Sequence, residues 1–347
     1  MGLRIVVCNG QIPFIRGGAE ILADALIDRL RQRGHQAELI QIPFRWHPKS
    51  EVLKSYLAWR LINVQESEGQ PIDRVISLKF PAFVVQHPHK VTWLVQQFRQ
   101  AYDMFGTEYS YFDDCEADTE LRRVIWDIDT HTLSESRHIF TISDNVGDRL
   151  QRYNLLESET LYPPPALDGQ FYNRGYGDYV FSISRLNQMK RVDQLIRAMA
   201  RTHAPVRCKI AGRGEERAAL QRLAHRVGVA DRVEFLGFVS DTDALDLYAG
   251  ALAVYYAPLD EDYGLVTVEA MKSQKPVLTT DDSGGVLEFV DDGSTGYVSP
   301  AGDSAAMARH LDELHEKREA ARRMGELARR KVAFIQWDSV IDRLLEV

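Results

Sequence analysis

Ala257-Pro258-Leu259-Asp260-Glu261-Asp262-Tyr263-Gly264-Leu265-Val266-Thr267-Val268-Glu269-Ala270-Met271 is the stretch whose reading decides how this chain folds. The apolar run Ala253–Tyr256 just before it reads as a buried strand, and from about Gly264 onward the pattern turns helical. Strand, loop, helix is the repeating step of an α/β protein with parallel sheets. Backbone N–H groups at a helix start point outward unpaired, and the helix dipole adds partial positive charge. The turn at Gly264, Leu265 and Val266 is therefore an anion site that suits a diphosphate. Glu261 lies in the loop and Glu269 inside the helix, with seven residues between them. That spacing lets the two carboxylates address different parts of a long ligand. Taken alone, they also fit a helix cap and a solvated side chain.

Working outward, the same alternation covers most of the chain. Leu3–Cys8 is a continuous apolar run, as a buried parallel strand requires. A loop with Gly10, Gly17 and Gly18 leads into a helix over Ala19–Arg33, stopped by Gly34, and Ala37–Ile42 returns to strand. Val75–Leu78, Val91–Val95 and Ile139–Ile142 read as further strands. At Tyr162-Pro163-Pro164-Pro165 the pattern breaks, because three prolines exclude helix and cannot donate to a sheet ladder. A second series follows: strands at Tyr179–Ser184, Val206–Ala211, Val233–Leu236 and Pro276–Thr279, helices at Val192–Arg201 and Glu215–Val227, and helix from Ala305 onward. The expected architecture is α/β, with residues 1–162 as one Rossmann-like domain and 166–330 as a second. Residues 331–347 are expected to form a terminal helix that carries the apolar Phe334, Ile335 and Trp337.

A chain of 347 residues, 45% hydrophobic and 27% charged, has enough apolar material for two cores. The net charge of -8 is spread evenly, and no Lys/Arg tract invites nucleic acid. No apolar run is long enough to cross a membrane, although peripheral contact with one remains open. The first residues run straight into a strand pattern, unlike a secretory leader. Three distant cysteines, Cys8, Cys115 and Cys208, read as reduced thiols in a cytoplasmic protein. Asp113-Asp114 and Asp281-Asp282 read as caps and turns, so no metal site is expected.

The stretch that opens this section resembles the glutamate, seven residues, glutamate signature of family 4 of the retaining GT-B glycosyltransferases. The resemblance extends over nearly all of residues 160–300. Ser182-Ile183-Ser184-Arg185-Leu186, with Lys190 five residues after Arg185, is similar to the family's strand-end arginine and lysine pair. Ile210-Ala211-Gly212-Arg213-Gly214 and Leu236-Gly237-Phe238-Val239-Ser240 are similar to two nucleotide-contacting turns. Lys275-Pro276-Val277, Ser283-Gly284-Gly285 and Gly293-Ser294-Thr295-Gly296 continue the pattern. The resemblance implies two Rossmann-like domains facing a central cleft, the last helix crossing back to the first domain. It implies a UDP- or GDP-sugar donor as co-substrate without cofactor or metal, a saccharide or glycolipid acceptor, and transfer of a hexose. Glu269 would accept from the ribose hydroxyls, and Glu261 would contact the transferred sugar. Gly264, Leu265 and Val266 would offer amides, with Gly212 and Val239 also touching the donor. Arg185 and Lys190 would neutralise the leaving diphosphate, as two fixed cations can. Arg191 reads as a surface cation at a helix start.

In the N-terminal half, Arg16-Gly17-Gly18-Ala19-Glu20 resembles the family's glycine-rich first loop, placing Gly17 and Gly18 near donor phosphate. Where many members carry a histidine after the strand Val91–Val95, this chain has Gln96, with Arg99 close behind. Glutamine can position a hydroxyl but cannot take a proton. Gln96 and Arg99 are the candidate acceptor contacts. His87 and His89 fit a surface turn. The aromatic stretch Phe80–Phe112 divides between core and a sugar-stacking wall. The competing readings are a non-catalytic sugar-nucleotide binder, or an epimerase or phosphorylase on the same fold. An oxidoreductase is disfavoured, since no Gly-x-Gly-x-x-Gly follows the first strand.

Overall fold

The computed structural model describes residues 2–347, which divide into two compact units. One takes in the chain as far as Ala166 together with Gln336–Val347, and the other is Leu167–Ile335. Each is built on its own parallel sheet.

The first unit runs β1 (Arg4–Gln11), α1 (Gly18–Gln32), β2 (Gln36–Pro43), α2 (Glu51–Leu61), a short antiparallel hairpin of β3 (Glu66–Ser67) and β4 (Gln70–Pro71), β5 (Arg74–Ser77), β6 (Lys90–Leu94), α3 (Glu116–Ser134), β7 (His138–Thr141), α4 (Asp144–Asn154) and β8 (Glu159–Thr160). Its sheet has the order β2-β1-β5-β6-β7-β8, every pair parallel. The chain goes from β1 out to β2 and then returns to β5 on the other side of β1, so the sheet switches direction between β1 and β5. Ligands of such sheets bind at the carboxyl ends of the strands flanking the switch. The central strands are buried on both faces: Val75, Val91, Trp93 and Phe140 are fully enclosed. That is why they read as unbroken apolar runs.

The second unit runs β9 (Tyr179–Ile183), α5 (Val192–Met199), β10 (Arg207–Ala211), α6 (Arg217–Arg226), β11 (Val233–Gly237), α7 (Asp241–Gly250), β12 (Ala253–Tyr255), α8 (Leu265–Lys272), β13 (Val277–Thr280), β14 (Gly296–Ser299), α9 (Ser304–Glu316) and α10 (Arg318–Lys331). The strand order is β11-β10-β9-β12-β13-β14. Numbered within the unit this is 3-2-1-4-5-6, the Rossmann order, with its switch point between β9 and β12. Val180, Leu195, Ile196, Cys208, Ile210, Leu278 and Leu311 lie in one core cluster, which places α5 and α9 over one face of the sheet.

The last helix, α11 (Trp337–Glu346), belongs to the first unit. Trp337 Nε1 donates to the Pro165 carbonyl at 3.1 Å, and its ring stands edge-on to Trp93 at 6.4 Å. Arg74 donates to the Leu344 carbonyl, while Arg33 pairs with Asp338 and Asp342 and Arg343 with Glu159. Residues 331–335, expected in that helix, lie in the second unit instead: α10 extends to Lys331, and Ile335 is the unit's last residue.

Candidate functional site

At the switch point of the second sheet, the chain emerging from β12 carries Tyr256 and then the Glu261 loop. The chain emerging from β9 carries Arg185 and then a single 3₁₀ turn, Gln188–Lys190, capped by the Asn187 side chain on the Lys190 amide. These two connections bring together residues that are distant in sequence. Lys190 Nζ forms an ion pair with Glu261 Oε2. It also donates to the Tyr256 hydroxyl at 3.1 Å, and that hydroxyl bonds Glu261 in turn. Burial alone would lower the lysine's affinity for its proton. The Glu261 carboxylate overrides this and holds Lys190 well above its ordinary value, so it stays a cation.

The loop is pinned from behind. Glu261 forms an isolated parallel bridge with Gly284, and Gly285 N donates to the Glu261 carbonyl at 2.8 Å. Arg191, read from the sequence as a surface cation, is a brace instead. Its guanidinium donates to the Ala257 and Pro258 carbonyls, each at 2.9 Å, to Thr280 Oγ1 at 2.8 Å, and to both oxygens of Asp282 at 2.6 and 2.7 Å. Asp282, half of an acidic pair, is thereby committed to the arginine.

Above the loop, α8 begins at Leu265 with Gly264 as its cap in the left-handed region, φ 84°. A side chain there would be strained, and its Cβ would also come within 2.7 Å of Val286. The first-turn amides of Leu265 and Val266 have no intrahelical partners by construction. Glu269, about one turn on, accepts from the Tyr248 hydroxyl at 2.7 Å. Burial raises its carboxyl to about 7, against the pull of the Tyr248 bond, and Asp241 adds to the rise.

Arg185 stands more exposed, its side chain 54% accessible, with Glu215 at 3.9 Å as a loose partner. Gly212, φ 124°, sits hard against the same connection; a Cβ on it would lie 1.8 Å from the Ser184 carbonyl oxygen, so only glycine fits. Val239 follows β11, where with Phe238, Leu236, Lys209 and Tyr179 it lines a groove of ≈ 750 Å³ along α7. Among the described residues, none of Arg185, Lys190, Glu261 or Glu269 lines that groove.

In the first unit, Gly17 caps α1 and donates its amide to Glu20 Oε2 at 2.8 Å, while Lys79, just past β5, pairs with Glu20 Oε1. The glycine loop is thus tied to the ends of β1 and β5, the strands flanking the switch. Beside it, Asn9 is fully buried near the end of β1 with neither amide atom hydrogen-bonded. Gln96 is half-buried, and its carbonyl accepts from Phe80 N at 3.1 Å. Arg99 is committed to Asp103, which Arg149 also approaches at 3.2 Å. Gln97, next to Gln96, joins a buried network through Asn154 and Tyr102 to Asp129. His87, expected on a surface turn, is buried instead: its ring bonds the Ile72 carbonyl and accepts from the His89 amide.

Tyr248, Tyr256, Arg191 and Lys79 escaped the sequence reading. Arg191 and Tyr256 had a signal, since each directly adjoins an assigned element of the site. Tyr248 and Lys79 had none, because their partners are brought to them only by the fold. Among the described residues, no group of His, Cys, Asp or Glu side chains is arranged to hold a metal ion, and no helix is long and apolar enough to cross a membrane.

Residues 172–331 match the family described as glycosyl transferases group 1. Over 152 residues, 43% of this chain, it is 32% identical to N-acetyl-alpha-D-glucosaminyl L-malate synthase of Bacillus anthracis, spanning 39% of that protein. Over 128 residues, 37% of this chain, it is 34% identical to D-inositol 3-phosphate glycosyltransferase of Streptomyces avermitilis, spanning 27% of it. The chain thus matches well under half the length of these curated relatives. Among solved structures, sucrose-phosphate synthase from Thermosynechococcus elongatus superposes with a TM-score of 0.77 at 17% identity, covering 99% of this chain and 98% of that one. HepE of Anabaena, solved in complex with UDP and glucose, gives 0.73 at 18% identity and 98% of each chain. At such identities the likeness concerns the fold, which is the GT-B architecture.

Proposed function

We propose that this chain, whose residues 172–331 are a glycosyl transferases group 1 domain, is a retaining hexosyltransferase of family 4. It takes its sugar from a UDP- or GDP-sugar and passes it to a hydroxyl of a saccharide or glycolipid. The observation that carries this reading is the Lys190–Glu261–Tyr256 cluster, set at the switch point of the second sheet. A departing nucleoside diphosphate gains negative charge as the sugar's anomeric bond to oxygen breaks. Lys190, Arg185 and the first amides of α8 are fixed positive groups suited to stabilise that charge. Glu261 would take hydroxyls of the moving sugar and Glu269 those of the ribose, with Gly212 close by. Val239 and the Gly17-Gly18 loop are further donor contacts in this reading, and Gln96 and Arg99 are the acceptor's. The cations do the work a metal would otherwise do, so the donor is a co-substrate and no cofactor takes part. The reaction is assigned to the cytoplasm.

The test is calorimetric titration of UDP and GDP into wild type and Glu269→Ala. Loss of a charged hydrogen-bond acceptor should weaken the better nucleotide by about 1.5–3 kcal/mol, roughly ten- to a hundredfold. Equal affinity in the two proteins would refute the assignment of Glu269, and no binding of either nucleotide would refute the donor class.

A further inference from the structure

We propose that Tyr248 is a positioning residue of the donor site, fixing one carboxylate oxygen of Glu269 so that the other is presented to the donor. The proposal deepens the reading in which Glu269 holds the ribose, and it rests on that reading.

Tyr248 sits in α7 and is 1% exposed. Its ring stands edge-on to Phe181 at 5.1 Å and to Phe171 at 6.1 Å, so packing settles its direction. The hydroxyl reaches across to α8 and donates to Glu269 Oε2 at 2.7 Å. Glu269 is partly buried, and the phenol ties its Oε2, which leaves Oε1 as the oxygen to meet a ligand. A carboxylate on a helix has two rotatable bonds beyond Cβ before its oxygens, and an aimed carboxylate needs one of them anchored.

The tether has a second consequence. The groups that bear on Glu269 are both on α7: Tyr248, which favours the ionised form, and Asp241, which opposes it. Tyr256 bears on Tyr248 in turn. No lysine or arginine enters that set. Burial already brings the carboxyl to about 7, so its charge at neutral pH depends on the phenol. An ionised carboxylate accepts from two ribose hydroxyls; a protonated one accepts less well and must place its own proton. Donor binding should therefore follow the ionisation of Glu269, with Tyr248 setting the midpoint.

The experiment titrates UDP and GDP, carrying forward the tighter, into wild type, Tyr248→Phe and Glu269→Gln between pH 5.5 and 9. Phenylalanine keeps the ring packing on Phe171 and Phe181. Glu269→Gln reports the nucleotide's own protonation and serves as the baseline. Relative to that baseline, wild-type affinity should rise through neutrality. In Tyr248→Phe the midpoint should move up by about one pH unit, so that the loss is about fivefold greater at pH 7 than at pH 9, where only the smaller loss from the untethered carboxylate remains. A loss in Tyr248→Phe that is equal at every pH, or no loss, would overturn the proposal, since a structural role alone does not move the midpoint. If Glu269→Gln binds like wild type throughout, the ribose reading itself falls and takes this inference with it.

Discussion

Arg191→Met should loosen the loop that carries Glu261 without removing any group proposed to touch the donor. Arg191 makes five hydrogen bonds, two to loop carbonyls, one to Thr280 and two to Asp282. Its side chain is 12% exposed and that of Asp282 36%, so the pair is partly buried. Removing one partner of a buried pair strands the other charge and costs 3–5 kcal/mol; partial solvation puts the expected loss near the low end, about 3 kcal/mol. Chemical denaturation at pH 7 measures it. A double-mutant cycle with Asp282→Asn should return a coupling of about 1–3 kcal/mol, because each single change leaves the other group unpaired. The pair also has an acid signature. Burial works against ionisation of Asp282, but the Arg191 and Thr280 bonds hold its carboxyl below its ordinary value of 3.8. Its contribution is thus fully present above that value and lost as pH falls through the depressed one; Arg191→Met should lack this acid-side loss. In turnover, a slack Glu261 should lower kcat/KM by about 10²-fold with less effect on nucleotide affinity. Wild-type stability combined with a large loss of nucleotide affinity would refute the argument, because that pattern belongs to a cation binding phosphate directly.

Lys190→Ala and Arg185→Ala should each depress kcat by about 10²-fold in a steady-state assay with a working donor and acceptor, while an effect on KM alone would mean the cation only holds the ground state. Lys275 is fully buried on Asn173 Oδ1, the Gly175 carbonyl and the Tyr176 ring, and burial lowers it from 10.5 to about 7. Between those values the unfolded chain holds the extra proton, so wild-type stability should gain up to about 1.4 kcal/mol per pH unit as pH rises from about 7 to 10.5. Lys275→Met should lack that rise, and parallel denaturation curves for the two proteins across the window would contradict it.

The strands were legible because a parallel strand covered on both faces is mostly apolar on both, as β1, β9 and β12 are, although β6 buries Lys90 and Thr92 on one face. Helices were harder. In α2 the buried Val52, Tyr56 and Trp59 are interleaved with Leu53, Leu57 and Leu61 on the outside, so no single apolar stripe stands out. In α3 the inward face includes Asp118 and Asp129. A buried aspartate reads as a solvent residue until Tyr56 and Tyr102 are seen to hold it. At the site, the glutamate spacing and the Arg185–Lys190 pair were legible since each lies within one connection. The tyrosines were not, because phenols in apolar runs look like core and become polar contacts only when another element supplies a carboxylate.

Lys190 and Glu261 are paired to each other, and in the proposed function this pairing bears on how such a site stays specific. A lone cation at a helix start would attract any phosphate. Here the lysine's charge is already balanced by a carboxylate that also shares Tyr256. A bare anion must draw Lys190 away from Glu261, leaving a partly buried carboxylate without its counter-ion, which is costly. A sugar-linked diphosphate brings its own compensation, since its hydroxyls can donate to Glu261 while its phosphate takes Lys190. On the proposed reading the ion pair would therefore discriminate against the part-ligand in favour of the whole one, by a penalty that only the sugar relieves. Arg191, gripping the same loop from beneath, keeps Glu261 from simply swinging away and escaping that penalty. Arg185, more exposed and only loosely held by Glu215, would on the proposed reading be the cation that meets the phosphate first.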